Sequence, residues 1–128
     1  MGTYLNITRD ISLKNFNVKV EYNHVDVTKE LINGSYPNIT QSVFDRKIIS
    51  DSILNELCDC LDWESSGFLE LDTLIDFIDE VDITDIEDGE DREWEMVVLN
   101  ELKGIVSSHN ELEKKYPNVD VYYNFSIG

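Results

Sequence analysis

The sequence predicts an α+β domain, in which a small antiparallel sheet packs against about three amphipathic helices. Near both ends of the 128-residue chain, apolar residues alternate with polar ones, as in half-buried strands. In the middle they recur at intervals of three and four, as in helices. Strands that are segregated from a helical middle segment favour an α+β fold over an α/β fold. The length fits one domain over residues 1–128.

Strands are predicted at both ends of the chain. Alternating apolar residues over 16–27 indicate a β-hairpin whose two-residue turn is Asn23-His24. A shorter strand is expected around residues 4–7. Unbroken alternation over 119–127 predicts a C-terminal strand with one buried face. The sheet is therefore expected to combine the N-terminal hairpin with the C-terminal strand.

Three helices are predicted between these strands. The first covers roughly 42–62, either unbroken or interrupted near Ser50, which is a candidate N-cap. The second carries an apolar stripe from Leu71 to Val81, after a loop at residues 65–67. The third begins near Trp94 and ends before Pro117. All three patterns are amphipathic, so each helix is expected to bury one face.

Charge is distributed very unevenly along the chain, whose net charge is −17. Residues 51–101 hold 19 of the 27 acidic residues but only one of the ten basic residues, Arg92. This segment is also rich in Leu, Ile and Val, unlike an acidic tail that lacks the apolar surface to fold. It is therefore expected to be a folded, strongly acidic helical region. Such a surface repels nucleic acid and attracts a basic protein.

The predicted second helix places four carboxylates opposite its apolar stripe, at Asp72, Asp76, Asp79 and Glu80. At about 1.5 Å rise per residue, three of them recur every ~6 Å along one face. Such a ladder of negative charge is compatible with mimicry of nucleic-acid phosphates. The alternative is an ordinary solvated helix face, but ordinary faces mix both signs of charge.

The candidate partner-binding residues are the carboxylates of this region together with three aromatic residues that would anchor a complex. They are Asp59, Asp62, Glu64, Asp72, Asp76, Asp79, Glu80, Asp85, Glu87, Asp88, Glu90, Asp91, Trp63, Phe68 and Trp94.

One stretch between the first two helices resembles an EF-hand calcium loop. Asp62, Glu64 and Ser66 fall at its first, third and fifth positions, and Gly67 falls at the sixth. Thr73 stands at the last position, where an EF-hand has a bidentate glutamate. These three residues are therefore weak candidates for metal ligands, and no cofactor is expected.

Catalytic patterns are missing from the sequence, and we expect no enzymatic activity. Neither a nucleophile elbow nor a glycine-rich phosphate loop is present. Cys58 and Cys60 lack partners at zinc spacing, so we interpret the first as a core residue and the second as a free thiol. Glu101 falls within the apolar arc of the third helix, two turns before His109, and we expect it to lie at a face edge or in a local pair.

Three functions are compatible with these features. The chain has no alanine but 13 Ile and 11 Asn, a composition typical of AT-rich genomes. In size, acidity and this composition, it resembles phage- and plasmid-encoded anti-restriction and anti-CRISPR proteins. That resemblance implies an inhibitor that occupies the nucleic-acid site of a defence nuclease in the bacterial cytoplasm. An immunity protein or antitoxin against a nuclease toxin would use the same chemistry. The third candidate is a calcium-binding or structural module. The sequence contains neither an apolar stretch long enough to span a membrane nor the pattern of a signal peptide.

Overall fold

A computed structural model describes residues 3–13, 21–22, 25–26, 38–84, 89–115 and 119–128. The element order confirms the α+β class. Its elements are β1 (Tyr4–Leu13), β2 (Glu21–Tyr22), β3 (Val25–Asp26), β4 (Asn38–Lys47), α1 (Ile53–Cys60), β5 (Ser66–Leu69), α2 (Leu71–Glu80), α3 (Glu90–Lys115) and β6 (Val119–Ile127).

Four strands form an antiparallel sheet in the order β4-β1-β6-β5. In β1, Leu5, Ile7 and Ile11 are buried beneath the helices, whereas the residues between them, apart from Arg9, are less buried. The same alternation buries Tyr123 and Phe125 of β6, which lie opposite Arg9 and Ile7. The predicted C-terminal strand is confirmed.

The hairpin is present around its predicted turn but lies outside this sheet. Tyr22 pairs with Val25, and the predicted turn, Asn23-His24, lies outside the described residues. β2 and β3 form a separate two-stranded sheet. The rest of the predicted hairpin, 16–20 and Val27, lies outside the described residues. The main sheet instead takes β1 and β4 from the N-terminal part of the chain.

The predicted first helix is too long, because residues 42–47 belong to β4. The register between β1 and β4 shifts where Ile7 faces Phe44 and Thr8 faces Ser42, so Val43 is the extra residue of an irregular pairing. This irregularity interrupts the period of two and makes the segment resemble the start of a helix. The true N-cap of α1 is Ser52 rather than Ser50, and its hydroxyl accepts a hydrogen bond from the amide of Asn55 at 3.3 Å.

The segment expected to be a loop at residues 65–67 contributes instead to an edge strand. β5 pairs with β6 and brings Gly67 opposite Phe125. A Cβ atom on Gly67 would lie 3.1 Å from the Phe125 ring, so glycine permits this close approach. Serine and glycine are poor strand formers, which explains why the sequence did not indicate β5.

The three helices cover one face of the sheet and form a single core with it. α2 and α3 are confirmed close to their predicted bounds. On α3, Leu99 is buried beside a stripe of buried positions spaced by three and four residues: Glu95, Val98, Leu102, Ile105, His109 and Leu112. Of the helices within the described residues, none is long and apolar enough to cross a membrane.

Leu102 is the most direct test of this core, because its side chain is fully buried at the centre of the α3 stripe. Replacing Leu102 with Ala is expected to lower the free energy of unfolding by about 2–5 kcal/mol, through lost burial and a residual cavity. Met96 on the same helix is 45% exposed, and M96A is expected to cost less than about 0.5 kcal/mol. Urea denaturation measures both, and equal losses would contradict this assignment of the buried face.

Candidate functional site

The four predicted carboxylates of α2 all face solvent. Asp72, Asp76, Asp79 and Glu80 are exposed, whereas Leu74 and Phe77 on the opposite side are buried. The helix ends at Glu80, and the backbone becomes extended at Val81. The apolar stripe thus holds the acidic ladder outward along the full length of α2.

A second group of predicted residues lies where α1 ends. Asp59, Asp62 and Glu64 are exposed, and the indole of Trp63 donates a hydrogen bond to the Asp59 carboxylate at 2.7 Å. The Trp63 side chain remains 43% exposed. Asp62 and Trp63 both adopt left-handed backbone angles, with φ of 56° and 51°. This turn therefore presents an aromatic ring among carboxylates.

The thiol of Cys60 is influenced by acidic residues from both α1 and α2. Partial burial raises the pKa of its thiol, and the charges of Asp59, Glu80, Glu56 and Asp62 raise that pKa further. All four charged neighbours that act on this pKa are carboxylates, and they come from both helices and the turn after α1. Cys58, in contrast, is buried, and burial raises the pKa of its thiol to about 11. We use the term acidic surface for Glu56, Asp59, Asp62, Glu64, Asp72, Asp76, Asp79 and Glu80.

Glu95 is a further carboxylate, which is buried in the protein and which the sequence did not indicate. Its side chain is only 5% exposed, and its Oε2 atom accepts a hydrogen bond from the amide of Ile53, at the start of α1, at 2.9 Å. Burial raises the pKa of Glu95, the Ile53 amide opposes that rise, and the charges of Glu56 and Asp91 add to it. Its position three residues before buried Val98 was the signal that could have revealed it.

The remaining predicted residues are divided between several places. Asp91 and Trp94 lie on the first turns of α3, beside Glu95. Phe68 is 58% exposed on the other face of the sheet, with its ring centroid 6.4 Å from that of Tyr122. Glu90 is the first residue of α3, and Asp85, Glu87 and Asp88 lie outside the described residues. Asp91 and Trp94 therefore lie with Glu95, separate from the defined acidic surface, and Phe68 lies on the opposite face of the sheet.

The EF-hand interpretation does not fit the backbone. Ser66 and Gly67 lie in β5, where they pair with β6, so the calcium loop is not formed. Across the described ranges, no cluster of three or more His, Cys, Asp or Glu side chains could hold a metal ion.

Glu101 and His109 have separate structural roles. Glu101 is exposed at the edge of the buried face of α3, one of the two expected placements, and accepts two hydrogen bonds from the guanidinium of Arg46 on β4, at 2.5 and 2.7 Å. The ring of His109 lies 3.0 Å from the Tyr123 hydroxyl, which accepts a hydrogen bond from buried Arg9 at 2.9 Å. These contacts connect α3 to the sheet.

Comparison of the chain with protein-family models, curated proteins and solved structures gives no match. The function is therefore inferred from the chain's own side chains.

The burial of Glu95 predicts an unusual pH dependence. A carboxyl whose pKa is raised by folding favours the folded state at low pH and loses that contribution as pH rises through its folded pKa. E95Q removes this effect, while its amide oxygen can still accept from the Ile53 amide. The stability of E95Q relative to wild type is therefore expected to increase from about pH 4 to pH 7. Urea denaturation across this range measures the difference.

Glu101 supplies a matched control of opposite sign on the same helix. The hydrogen bonds from Arg46 lower the pKa of Glu101, so its contribution is present above the ordinary carboxyl pKa and is lost as pH falls. E101Q is therefore expected to lose stability relative to wild type as pH rises over the same range. Parallel curves for E95Q and E101Q would contradict the environment described for Glu95.

Repulsion within the acidic surface predicts that the stability of the fold depends on salt concentration. Asp76 and Glu80 are separated by one helical turn, and like charges at this spacing cost about 0.2–0.5 kcal/mol. D76N/E80Q is expected to have a free energy of unfolding higher than wild type by that amount at about 0.05 M NaCl. The difference is expected to disappear at about 0.5 M NaCl, where charges are screened. D45N/E111Q removes two exposed carboxylates elsewhere and serves as the control. Equal salt responses of the two variants would exclude local repulsion.

Proposed function

We propose that this protein is an inhibitor that binds the basic nucleic-acid-binding site of another protein and uses its acidic surface as a substitute for phosphates. One observation supports the proposal above the others. The carboxylates of α2 and those at the end of α1 are exposed, and acids of both helices act on the Cys60 thiol, so the two charged faces adjoin near Glu80. A folded surface of one charge sign matches the electrostatics of a nucleic-acid backbone.

The spacing of these carboxylates is compatible with this role. Along α2, Asp72, Asp76 and Glu80 are about 6 Å apart, which is sparser than the ~3.4 Å between phosphates of one DNA strand. The carboxylates at the end of α1 provide further negative charges near Glu80. A basic groove would therefore meet a broad acidic surface instead of a single row of charges.

The exposed Trp63 ring adds an apolar contact within this field. Aromatic residues at the centre of an interface contribute a large share of binding energy, whereas exposed charges mainly accelerate association. Its hydrogen bond to Asp59 holds the indole at a defined position among the acids. We expect association to be fast and sensitive to salt, with Trp63 slowing dissociation.

The target proposed here is a nuclease of a bacterial defence system, encountered in the cytoplasm of the host. Such enzymes have basic channels for DNA or RNA, and a small acidic domain can occupy one of them. The composition typical of an AT-rich genome supports a phage or plasmid origin. The protein is proposed to act by occupying a site, without catalysis of its own.

Capture of the target tests this proposal. The tagged protein is immobilised, exposed to nuclease-treated lysates of low-GC bacteria, and eluted with a salt gradient for mass spectrometry. We expect recovery of a nucleic-acid enzyme that moderate salt releases. D76K/E80K is expected to bind this enzyme at least about tenfold more weakly, because two attractive charges become repulsive.

D45K/E111K is the matched control, since it reverses two exposed carboxylates outside the acidic surface and changes the net charge equally. Circular dichroism is used to check that both variants are folded. Retention of the same enzyme by both variants with equal affinity would contradict the assigned surface. Recovery of no nucleic-acid enzyme by the wild-type protein would contradict the proposed function.

A further inference from the structure

A cleft of about 520 Å³ lies beside the acidic surface, where the segment before α1 meets the first turns of α3. Residues 49–52 form one side, and Asp91, Trp94 and Glu95 form the other. Its volume is within the range of about 300–1,000 Å³ typical of ligand clefts. Asp51 and Asp91 are exposed, whereas Glu95 is almost completely buried.

Glu95 is only half satisfied by its hydrogen bonds. Oε2 accepts from the Ile53 amide, but within the described part of the chain no donor bonds to Oε1. Among the described residues, both side chains whose charges shift its pKa, Glu56 and Asp91, are acids, and neither of them compensates its charge. A buried carboxylate without a cationic partner is costly, and a ligand that donates hydrogen bonds and carries positive charge would remove that cost.

The residues that line the cleft favour an organic cation over a metal ion. Among the described residues, no cluster of three or more His, Cys, Asp or Glu side chains could bind a metal ion. The carboxylates of this cleft therefore do not form a metal site. A planar guanidinium is larger, carries five donors in a fixed arrangement and stacks on aromatic rings. Trp94 supplies such a ring next to the carboxylate.

We propose that this cleft binds an arginine side chain of the partner protein, with the guanidinium donating to Glu95 and lying against Trp94. Asp51 and Asp91 at the rim would attract the approaching cation. This inference rests on the proposed function, because the basic site of a nucleic-acid-binding enzyme supplies arginine. It adds a specific receptor position to a surface that otherwise recognises charge alone.

The test uses a small probe and needs no partner protein. Nα-acetyl-arginine methylamide is titrated into the full-length ¹⁵N-labelled protein, and the indole and backbone amide signals are followed by NMR. The neutral citrulline analogue and the lysine analogue are titrated in parallel. We expect saturable shifts at the Trp94 indole and at the amides of Ser52 and Glu95, with weaker binding of lysine and none of citrulline.

Two variants with the same loss of charge identify the position. E95Q is expected to weaken arginine binding by about tenfold, because it replaces a buried charged acceptor. D45N, at an exposed position of β4 outside the acidic surface, is expected to leave the affinity unchanged. Equal effects of E95Q and D45N, or equal binding of the arginine and citrulline probes, would overturn the proposal. Equal affinity for the lysine probe would overturn the guanidinium preference.

Failure of this inference is distinguishable from failure of the proposed function. If D76K/E80K abolishes capture of the target but the arginine probe does not bind near Trp94, the cleft is rejected and the acidic surface is retained. If the probe binds in the cleft but no nucleic-acid enzyme is captured, the arginine site stands and the inhibitor function is rejected.

Discussion

The acidic surface depends on the burial of the apolar faces of α1 and α2 against the sheet and α3. Leu54, Leu57 and Leu74 are fully buried, and a buried leucine contributes about 1.5–3 kcal/mol. Like-charge neighbours on a helix cost only about 0.2–0.5 kcal/mol per pair. Burial is therefore the larger effect, and it both holds the helices in place and directs their carboxylates outward. A concentration of negative charge that would keep an isolated peptide unfolded is in this way displayed by a folded domain.

Glu95 departs from this division between apolar interior and acidic exterior. It occupies a position on the buried stripe of α3 that an apolar side chain would fill at lower cost, and its only described hydrogen bond is to the first amide of α1. Buried, poorly compensated charges are frequent at functional sites, where a ligand supplies what the fold lacks. Glu95 lies beside Trp94 and Asp91, near the acidic surface. A basic partner that binds there would offset the free-energy cost of burying its carboxylate.

The predictable parts of the fold are those with an uninterrupted hydrophobic period. Alternation identified β6 and the start of β1, and spacings of three and four identified α1, α2 and α3. β4 was misassigned as helix because the irregular pairing at Val43 disrupts its alternation. β5 was missed because Ser66 and Gly67 have low strand propensity, and pairing with β6 compensates for that.

The site shows the same limits. Local sequence placed the carboxylates of α2 on one exposed face, because helical geometry alone determines it. It could not reveal that the charges of Glu56, Asp59 and Glu80 act on one thiol, since that depends on the relative placement of two helices. Glu95 was overlooked although it precedes Val98 and Leu102 by three and seven residues, because acidic residues are seldom assigned to a buried stripe.

Competition on the isolated complex tests the central claim most directly. The apparent dissociation constant of the protein and its captured enzyme is measured at fixed ionic strength while the enzyme's own DNA or RNA is added in increasing concentration. If the acidic surface occupies the nucleic-acid site, the apparent dissociation constant rises in proportion to the free nucleic acid. A constant value at saturating nucleic acid would show that both ligands bind together, and would contradict phosphate mimicry.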